Sequence, residues 1–351
     1  MHKKIDIRKL SEQELIETLE SMGEKKFRGK QVYEWLWTKR ARSFDEMTNL
    51  SKPLRDKLEE RFSIHVIEIA DKQISDDGTI KYAFKLKEGH VVEGVLIPTE
   101  NRTTACISSQ VGCSLACKFC ATGKLKLMKN LEAYEIYDQV AEIYKDAEIL
   151  KSKPLSNIVY MGMGEPLLNY KNMLYSTEQI GHDKGLGMSP KRITVSTAGI
   201  AKMIKRLGDD DVRFNLALSL HAANDKKRNE IMPINESNNL EVLAESLRYF
   251  YRKTRSRVTF EYIIFKDFND TIEDAAELAE FAKCVPCKIN IIEYNPIDDG
   301  EFQQADMDKV DDFADFLESK NLIVNIRRSR GKDIDAACGQ LANKNKAALK
   351  A

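Results

Sequence analysis

From residue 103 onward the chain alternates short apolar strand-like runs with longer helix-like segments, and this alternation constrains the fold more than any other feature. Strand-like runs fall at 103–108, 157–161 (NIVYM), 192–196 (RITVS), 212–219 (VRFNLALS), 257–265 (RVTFEYIIF) and 287–294 (CKINIIEY), and the run from Leu322 to Arg327 closes the series. Helix-like segments lie between them, among them 131–148, 239–252, 271–283 and 306–319. Such alternation builds a parallel sheet, because each parallel pair needs a crossover long enough to hold a helix. Six units between 103 and 319 are too few for a full barrel, whose eight units take about 250 residues. An open six-unit barrel and a doubly wound sheet both fit, and periodicity does not choose between them.

The N-terminal third reads differently. Three short helices fit 11–22, 27–40 and 51–61, punctuated by Gly23 and by Ser51-Lys52-Pro53. Residues 1–62 therefore form a small helical domain. Across 63–102, the stretches Tyr82-Ala-Phe-Lys-Leu-Lys and Val91-Val-Glu-Gly-Val-Leu-Ile read as a hairpin or small sheet leading into the core at 103–341. Residues 342–351 read as a tail. The start of the chain carries charges but no apolar signal region, and no apolar run approaches the roughly 20 residues that span a bilayer. The expectation is a cytoplasmic protein with no membrane partner.

Fifty-five basic and fifty-five acidic residues cancel, so net charge says nothing about nucleic acid. Residues 24–43 are locally basic, with seven Lys/Arg against two Glu and with Phe27, Tyr33, Trp35 and Trp37 interleaved. Basic side chains neutralise phosphates and aromatics offer stacking surfaces. A helical domain with an aromatic core and solvated lysines explains the same segment.

Seven cysteines in a reducing compartment point to metal or catalytic use before structural bridging. Cys113, Cys117 and Cys120 follow the first core strand at C-x-x-x-C-x-x-C spacing. Three thiolates so close in sequence can converge on one metal centre. Structural zinc sites and closed [4Fe–4S] clusters each take four ligands, so three leave a coordination position open. A zinc site completed by a distant His or Cys is the alternative on spacing alone. Cys284-Val-Pro-Cys287 sits where a helix enters a strand and reads as core.

In a parallel barrel the chemistry gathers at the C-terminal strand ends. Those positions here carry Gly162-Met-Gly164-Glu165-Pro166, then Ser196 with Thr197-Ala-Gly199, then Ser219-Leu220-His221, then Asn295-Pro296. Glycines admit close backbone approach, a glutamate accepts from an ammonium, and Ser196, Ser219 and Asn295 suit ribose hydroxyls and a carboxylate.

Phe119 occupies the aromatic position of the C-x-x-x-C-x-aromatic-C motif, and through it the chain resembles the radical S-adenosylmethionine (SAM) superfamily. That resemblance implies a partial (β/α)6 barrel, a [4Fe–4S] cluster held by Cys113, Cys117 and Cys120, and SAM at the open iron. Gly164 and Glu165 look like the segment binding the SAM amino group, and Ser196, Ser219, Leu220, His221 and Asn295 look like its remaining contacts. Cys106, Cys338 within Arg330-Gly-Lys-Asp-Ile-Asp-Ala-Ala-Cys338-Gly-Gln-Leu, Ser108-Ser-Gln-Val-Gly-Cys and Met161-Gly-Met-Gly-Glu-Pro-Leu-Leu-Asn closely resemble the RlmN family. This resemblance covers nearly the whole chain and implies methylation of C2 of adenine-2503 in 23S rRNA and of adenine-37 in certain tRNAs. By the family's scheme one SAM methylates Cys338 and a second yields a 5′-deoxyadenosyl radical that activates the S-methyl group. Cys106 then releases the adduct by a transient disulfide with Cys338. Glu93 aligns with the family's proton acceptor. Also implied are 23S rRNA and tRNA as partners, an external electron donor such as flavodoxin, and a monomeric state.

The resemblance makes Lys25, Lys26, Arg28, Lys30, Lys39, Arg40 and Arg42 candidate RNA contacts. A C8 methyltransferase of the same adenine (Cfr-like), a non-catalytic RNA-binding iron–sulfur protein and a zinc-dependent RNA enzyme are the rival readings.

Overall fold

The computed structural model describes residues 4–151 and 154–344. Three helices open it: α1 (Glu12–Ser21), α2 (Lys26–Trp37) and α3 (Lys52–Arg61). Ser11 and Glu14 form a reciprocal capping box at the start of α1, and Pro53 opens α3 where a missing N–H costs nothing.

Ten strands then build one sheet whose spatial order follows the chain. They are β1 (Glu68–Ile74), β2 (Ile80–Lys85), β3 (Val91–Pro98), β4 (Thr103–Cys106), β5 (Asn157–Tyr160), β6 (Ile193–Thr197), β7 (Asn215–Ser219), β8 (Val258–Ile264), β9 (Cys287–Glu293) and β10 (Val324–Arg327). From β4 to β10 every neighbouring pair is parallel. The crossovers run through α4 (Ala133–Lys151), α5 (Tyr170–Gly181), α6 (Ala201–Asp209), the pair α7 (Asp225–Ile231) and α8 (Leu240–Thr254), α9 (Ile272–Ala282) and α10 (Met307–Ser319). Six βα units and a closing strand make the partial barrel. The sheet curls far enough that Thr104 and Cys106 of β4 share a cavity with Asn325, Ile326 and Arg327 of β10.

The expected hairpin is larger and less separate. β1, β2 and β3 form an antiparallel meander that continues the barrel sheet through β3 and β4, with Val95 opposite Cys106. The alternating polar run of β1 hid it, since one face of that strand is solvated. Of the segment expected to be a tail, Ala342 and Asn343 donate their backbone N–H groups to the Glu93 carboxylate at 2.9 and 3.0 Å. Residues 345–351 lie outside the described residues.

The aromatics of α2 divide by face. Tyr33 and Trp37 are buried against the barrel: the Tyr33 hydroxyl donates to Gln179 at 2.7 Å, and the Trp37 ring meets Tyr137 edge-on at 5.1 Å and Tyr175 at 5.9 Å. The buried Arg8 guanidinium lies 4.8 Å from the Trp37 ring and pairs with Asp138 at 2.7 Å. These two aromatics dock the helical domain on α4 and α5 and cannot stack on bases. Phe27 is exposed and Trp35 is half-buried beneath Lys39. Among the basic candidates Arg28, Arg40 and Arg42 donate to backbone carbonyls and Lys39 pairs with Glu34, whereas Lys25, Lys26 and Lys30 are exposed. Trp37→Ala is expected to cost about 3–5 kcal/mol, read as a lower denaturant midpoint with the helical domain released first.

Candidate active site

The cysteine loop leaves β4 through Gly112, whose φ of +74° and contact with Lys126 exclude a side chain: a Cβ there would lie 2.0 Å from the Lys126 carbonyl oxygen. The loop is tied at both flanks. Lys118 N–H donates to the Ile231 carbonyl at 3.0 Å, Ala121 N–H to Gly339 at 2.8 Å, and the Thr122 hydroxyl to Leu341 at 2.6 Å. The segment carrying Cys338 is thereby fixed against the loop carrying Cys113, Cys117 and Cys120.

All three loop thiols line one cavity at the strand ends. Burial raises the pKa of each, to about 11 for Cys113, and the neighbouring thiols add to the rise at Cys117. Thiolates so placed repel one another, and a cationic metal centre removes that repulsion. No group of three His, Cys, Asp or Glu side chains converges tightly enough to hold a single metal ion among the described residues. Three thiols on one cavity wall are the donor set that would hold an iron–sulfur cluster. The residues present fit a cluster.

The rest of that cavity is built from the strand ends. Gly164 and Glu165 follow β5; a Cβ on Gly164, at φ +94°, would lie 2.4 Å from the Gln110 side chain. Glu165 is buried, accepts from Ala198 N–H at 2.7 Å and Leu167 N–H at 3.0 Å, and burial pushes it up to about 7. Ser196 and Ser219 also line the cavity, their hydroxyls 3.2 Å apart. His221, at φ +57°, takes the Ile263 N–H on Nδ1 at 3.1 Å, and burial drives it down to about 3. Its ring is neutral, so Nε2 carries the proton and is a donor. Leu220 does not line the cavity; its side chain is core and its carbonyl accepts from Arg228. Asn295 lies beneath the rim, donating to the Cys338 carbonyl at 3.3 Å while its buried Oδ1 has no partner.

Cys338 lines this cavity and also a second one of about 660 Å³, into which Cys106 opens from β4. All seven cysteines are free thiols, so Cys106 and Cys338 are not bridged. Cys338 is exposed on the wall of the two cavities, where desolvation and then Cys120 push it up to about 12; burial and then Cys338 raise Cys106 to about 12. Glu93 lines neither cavity. Its carboxylate anchors the chain just beyond Cys338 and lies 3.9 Å from Lys81. Cys284 and Cys287 pack at the margin of the core, far in the fold from the strand-end cavity.

Two residues that organise the site escaped the sequence. Gln110 accepts the Glu165 N–H at 2.7 Å and sits in the quoted Ser108-Ser-Gln motif, where its role had no signal of its own. Arg228 is fully buried and donates to the carbonyls of Leu220 (3.1 Å), Ala198 (2.7 Å) and Ser219 (3.3 Å) and to Asn235 (2.7 Å). In sequence it follows Lys226 and Lys227 and looks like part of a solvated face.

A curled parallel sheet with a three-thiol loop after its first strand and a polar rim at its strand ends defines a radical SAM enzyme, and residues 107–282 match the Radical SAM superfamily. Residues 5–64 match the family described as Ribosomal RNA large subunit methyltransferase N-terminal domain. A protein of Cytophaga hutchinsonii named "Probable dual-specificity RNA methyltransferase RlmN" is 62% identical over 342 residues, covering 97% of this chain and 94% of its own. "Dual-specificity RNA methyltransferase RlmN" of Geobacter sulfurreducens is 45% identical, covering 97% and 92%. The crystal structure of a radical SAM methyltransferase from Sphaerobacter thermophilus superposes with a TM-score of 0.90 at 36% identity, covering 98% of this chain and 99% of that one. The chain belongs to the RlmN family, and with it comes the superfamily's [4Fe–4S] cluster and SAM.

Proposed function

We infer that this radical SAM RNA methyltransferase places a methyl group on C2 of an adenine in 23S rRNA and tRNA, using Cys338 as the methyl carrier. The observation that carries the reading is the position of Cys338: it faces both the cavity of the three loop thiols and the cavity that holds Cys106. A carrier must meet the methyl donor on one side and the acceptor base on the other.

Adenine C2 lies between two ring nitrogens and is electron-poor, so it is no nucleophile for direct methyl transfer. The cluster, when bound, supplies the electron that cleaves SAM to a 5′-deoxyadenosyl radical. Cys113, Cys117 and Cys120 would hold it, with SAM beside it in the same cavity. Glu165 accepts from the SAM ammonium, its carboxylate already aimed by Ala198 and Leu167. Neutral His221 donates through Nε2, and Ser196 and Ser219 offer hydroxyls to the ribose. Cys338 receives a methyl group on sulfur, and the carbon that remains after hydrogen loss bonds to C2. Cys106 attacks the Cys338 sulfur, the sulfur–carbon bond breaks with its electron pair left on the methylene carbon, and that carbon takes a proton to become the methyl group. A thiol reduces the disulfide left behind, and an external donor such as flavodoxin supplies the electron for SAM cleavage. A transient bond agrees with two free thiols opening into one cavity. The protein acts as a monomer.

Glu93 lines neither cavity, and its assignment as acceptor of the C2 proton rests on its alignment with the family's proton acceptor. Glu93→Gln keeps an oxygen for the Ala342 and Asn343 N–H groups but removes the base, so turnover of the folded variant should fall at least about a hundredfold, while the melting temperature falls too because the buried Lys81 loses its counter-charge. Wild-type turnover in the variant removes Glu93 from the chemistry. The function itself is tested by digesting RNA from an anaerobic reaction: 2-methyladenosine is expected, and 8-methyladenosine would move the chain to the Cfr-like reaction.

A further inference from the structure

Basic side chains beside the site are mostly neutralised. Arg328 and Lys332 pair with Glu293 at 2.8 and 3.1 Å, and Lys344 pairs with Asp298 at 2.7 Å. Arg102, Lys288 and Arg327 differ: all three line the larger cavity, and among the described residues no side-chain hydrogen bond or ion pair within 4.0 Å engages them. They reach it from separate parts of the chain, Arg102 just before β4, Lys288 in β9 and Arg327 in β10.

The register explains why they meet. Asn290 pairs with Asn325 and Ile292 with Arg327, and strand side chains alternate, so Lys288, Asn290, Ile292, Asn325 and Arg327 share the inward face. Arg102, Thr104 and Cys106 line the facing wall across the open side of the barrel, where β10 is a free edge. The one carboxylate on the lining, Glu261, accepts from the Asn290 amide at 2.7 Å and faces Lys288 and Arg327 as a nearby negative charge, one against three cations. The cations depress one another: after burial, the Arg327 charge is the next cause of the lowered pKa of both Arg102 and Lys288. Like charges gathered around one cavity cost stability, and an anionic ligand removes that cost.

We propose that Arg102, Lys288 and Arg327 form a phosphate-binding wall along the open side of the barrel, gripping the RNA backbone next to the nucleotide whose base reaches Cys338. This rests on the RNA methyltransferase reading and adds a contact site separate from the helical domain. Phosphate contacts of this kind position a strand without reading its sequence.

The test uses the full-length holoenzyme and a fluorescein-labelled RNA hairpin containing the target adenine, titrated at several salt concentrations. For R102Q/K288Q/R327Q, affinity should fall at least about tenfold, and the slope of log K against log salt should flatten by about 0.7 for each lost single-strand contact. Iron content and SAM affinity should stay at wild-type values, which shows that the variant is folded. Arg327→Lys, which keeps the charge, should retain most of the slope. An unchanged slope in the triple variant overturns the proposal, as does an Arg327→Lys slope as flat as that of Arg327→Gln. The functional reading fails separately, if wild-type enzyme binds the hairpin but yields no methyladenosine.

Discussion

Replacing Cys338 with alanine is expected to reduce RNA methylation to background while leaving the iron–sulfur absorbance intact. Cys338 is not among the three loop thiols, and its segment contacts their loop through backbone groups of Gly339 and Leu341 that alanine preserves. The cluster and SAM should therefore bind as before, and SAM cleavage without RNA product should persist at a low rate. Only the covalent carrier is lost, and no other cysteine lines both cavities among the described residues. The partner variant Cys106→Ala should behave differently, since in the proposed reaction Cys106 acts after the carbon–carbon bond forms. It should accumulate protein cross-linked to RNA, visible as a shifted band under denaturing conditions; the absence of any adduct would remove Cys106 from release.

The largest loss of stability outside the core is expected at Arg228. Its guanidinium spans carbonyls from the ends of β6 and β7, so one side chain fixes two of the loops that form the rim of the proposed SAM cavity. Burial depresses its pKa to about 10, and the nearby Cys117 and Asp225 counter that fall. Arg228→Met leaves several buried carbonyls without donors and should destabilise the protein by about 3–5 kcal/mol, with SAM affinity falling as well. Arg228→Lys should rescue little, because a single ammonium cannot span the same acceptors. Chemical denaturation and SAM titration of the two variants check this; near-wild-type stability in Arg228→Met would show the rim to be held by its strands alone.

The βα rhythm was readable because strands buried on both faces, such as Val258–Ile264, appear as continuous apolar runs between amphipathic helices. Periodicity does not encode sheet closure, which depends on how β4 comes to face β10. The cysteine spacing and the glycines at strand ends were legible for a related reason: ligands close in sequence need no tertiary knowledge to be grouped. Arg228, Gln110 and the Arg102–Lys288–Arg327 wall were not legible, because their partners lie dozens of residues away and their sequence neighbours are ordinary. Trp37 shows the opposite hazard. A basic, aromatic helix suggested a stacking surface, yet two of its four rings form the joint with the barrel.

Passage of the methyl group through Cys338 can be read from the mass of the product nucleoside from an anaerobic reaction with SAM bearing a trideuterated methyl group. A methyl group that rests on Cys338 and gives up one hydrogen before bonding to C2 should arrive with two deuterium atoms, as 2-methyladenosine. A product that keeps all three would mean direct transfer from SAM and would remove Cys338 as the methyl carrier.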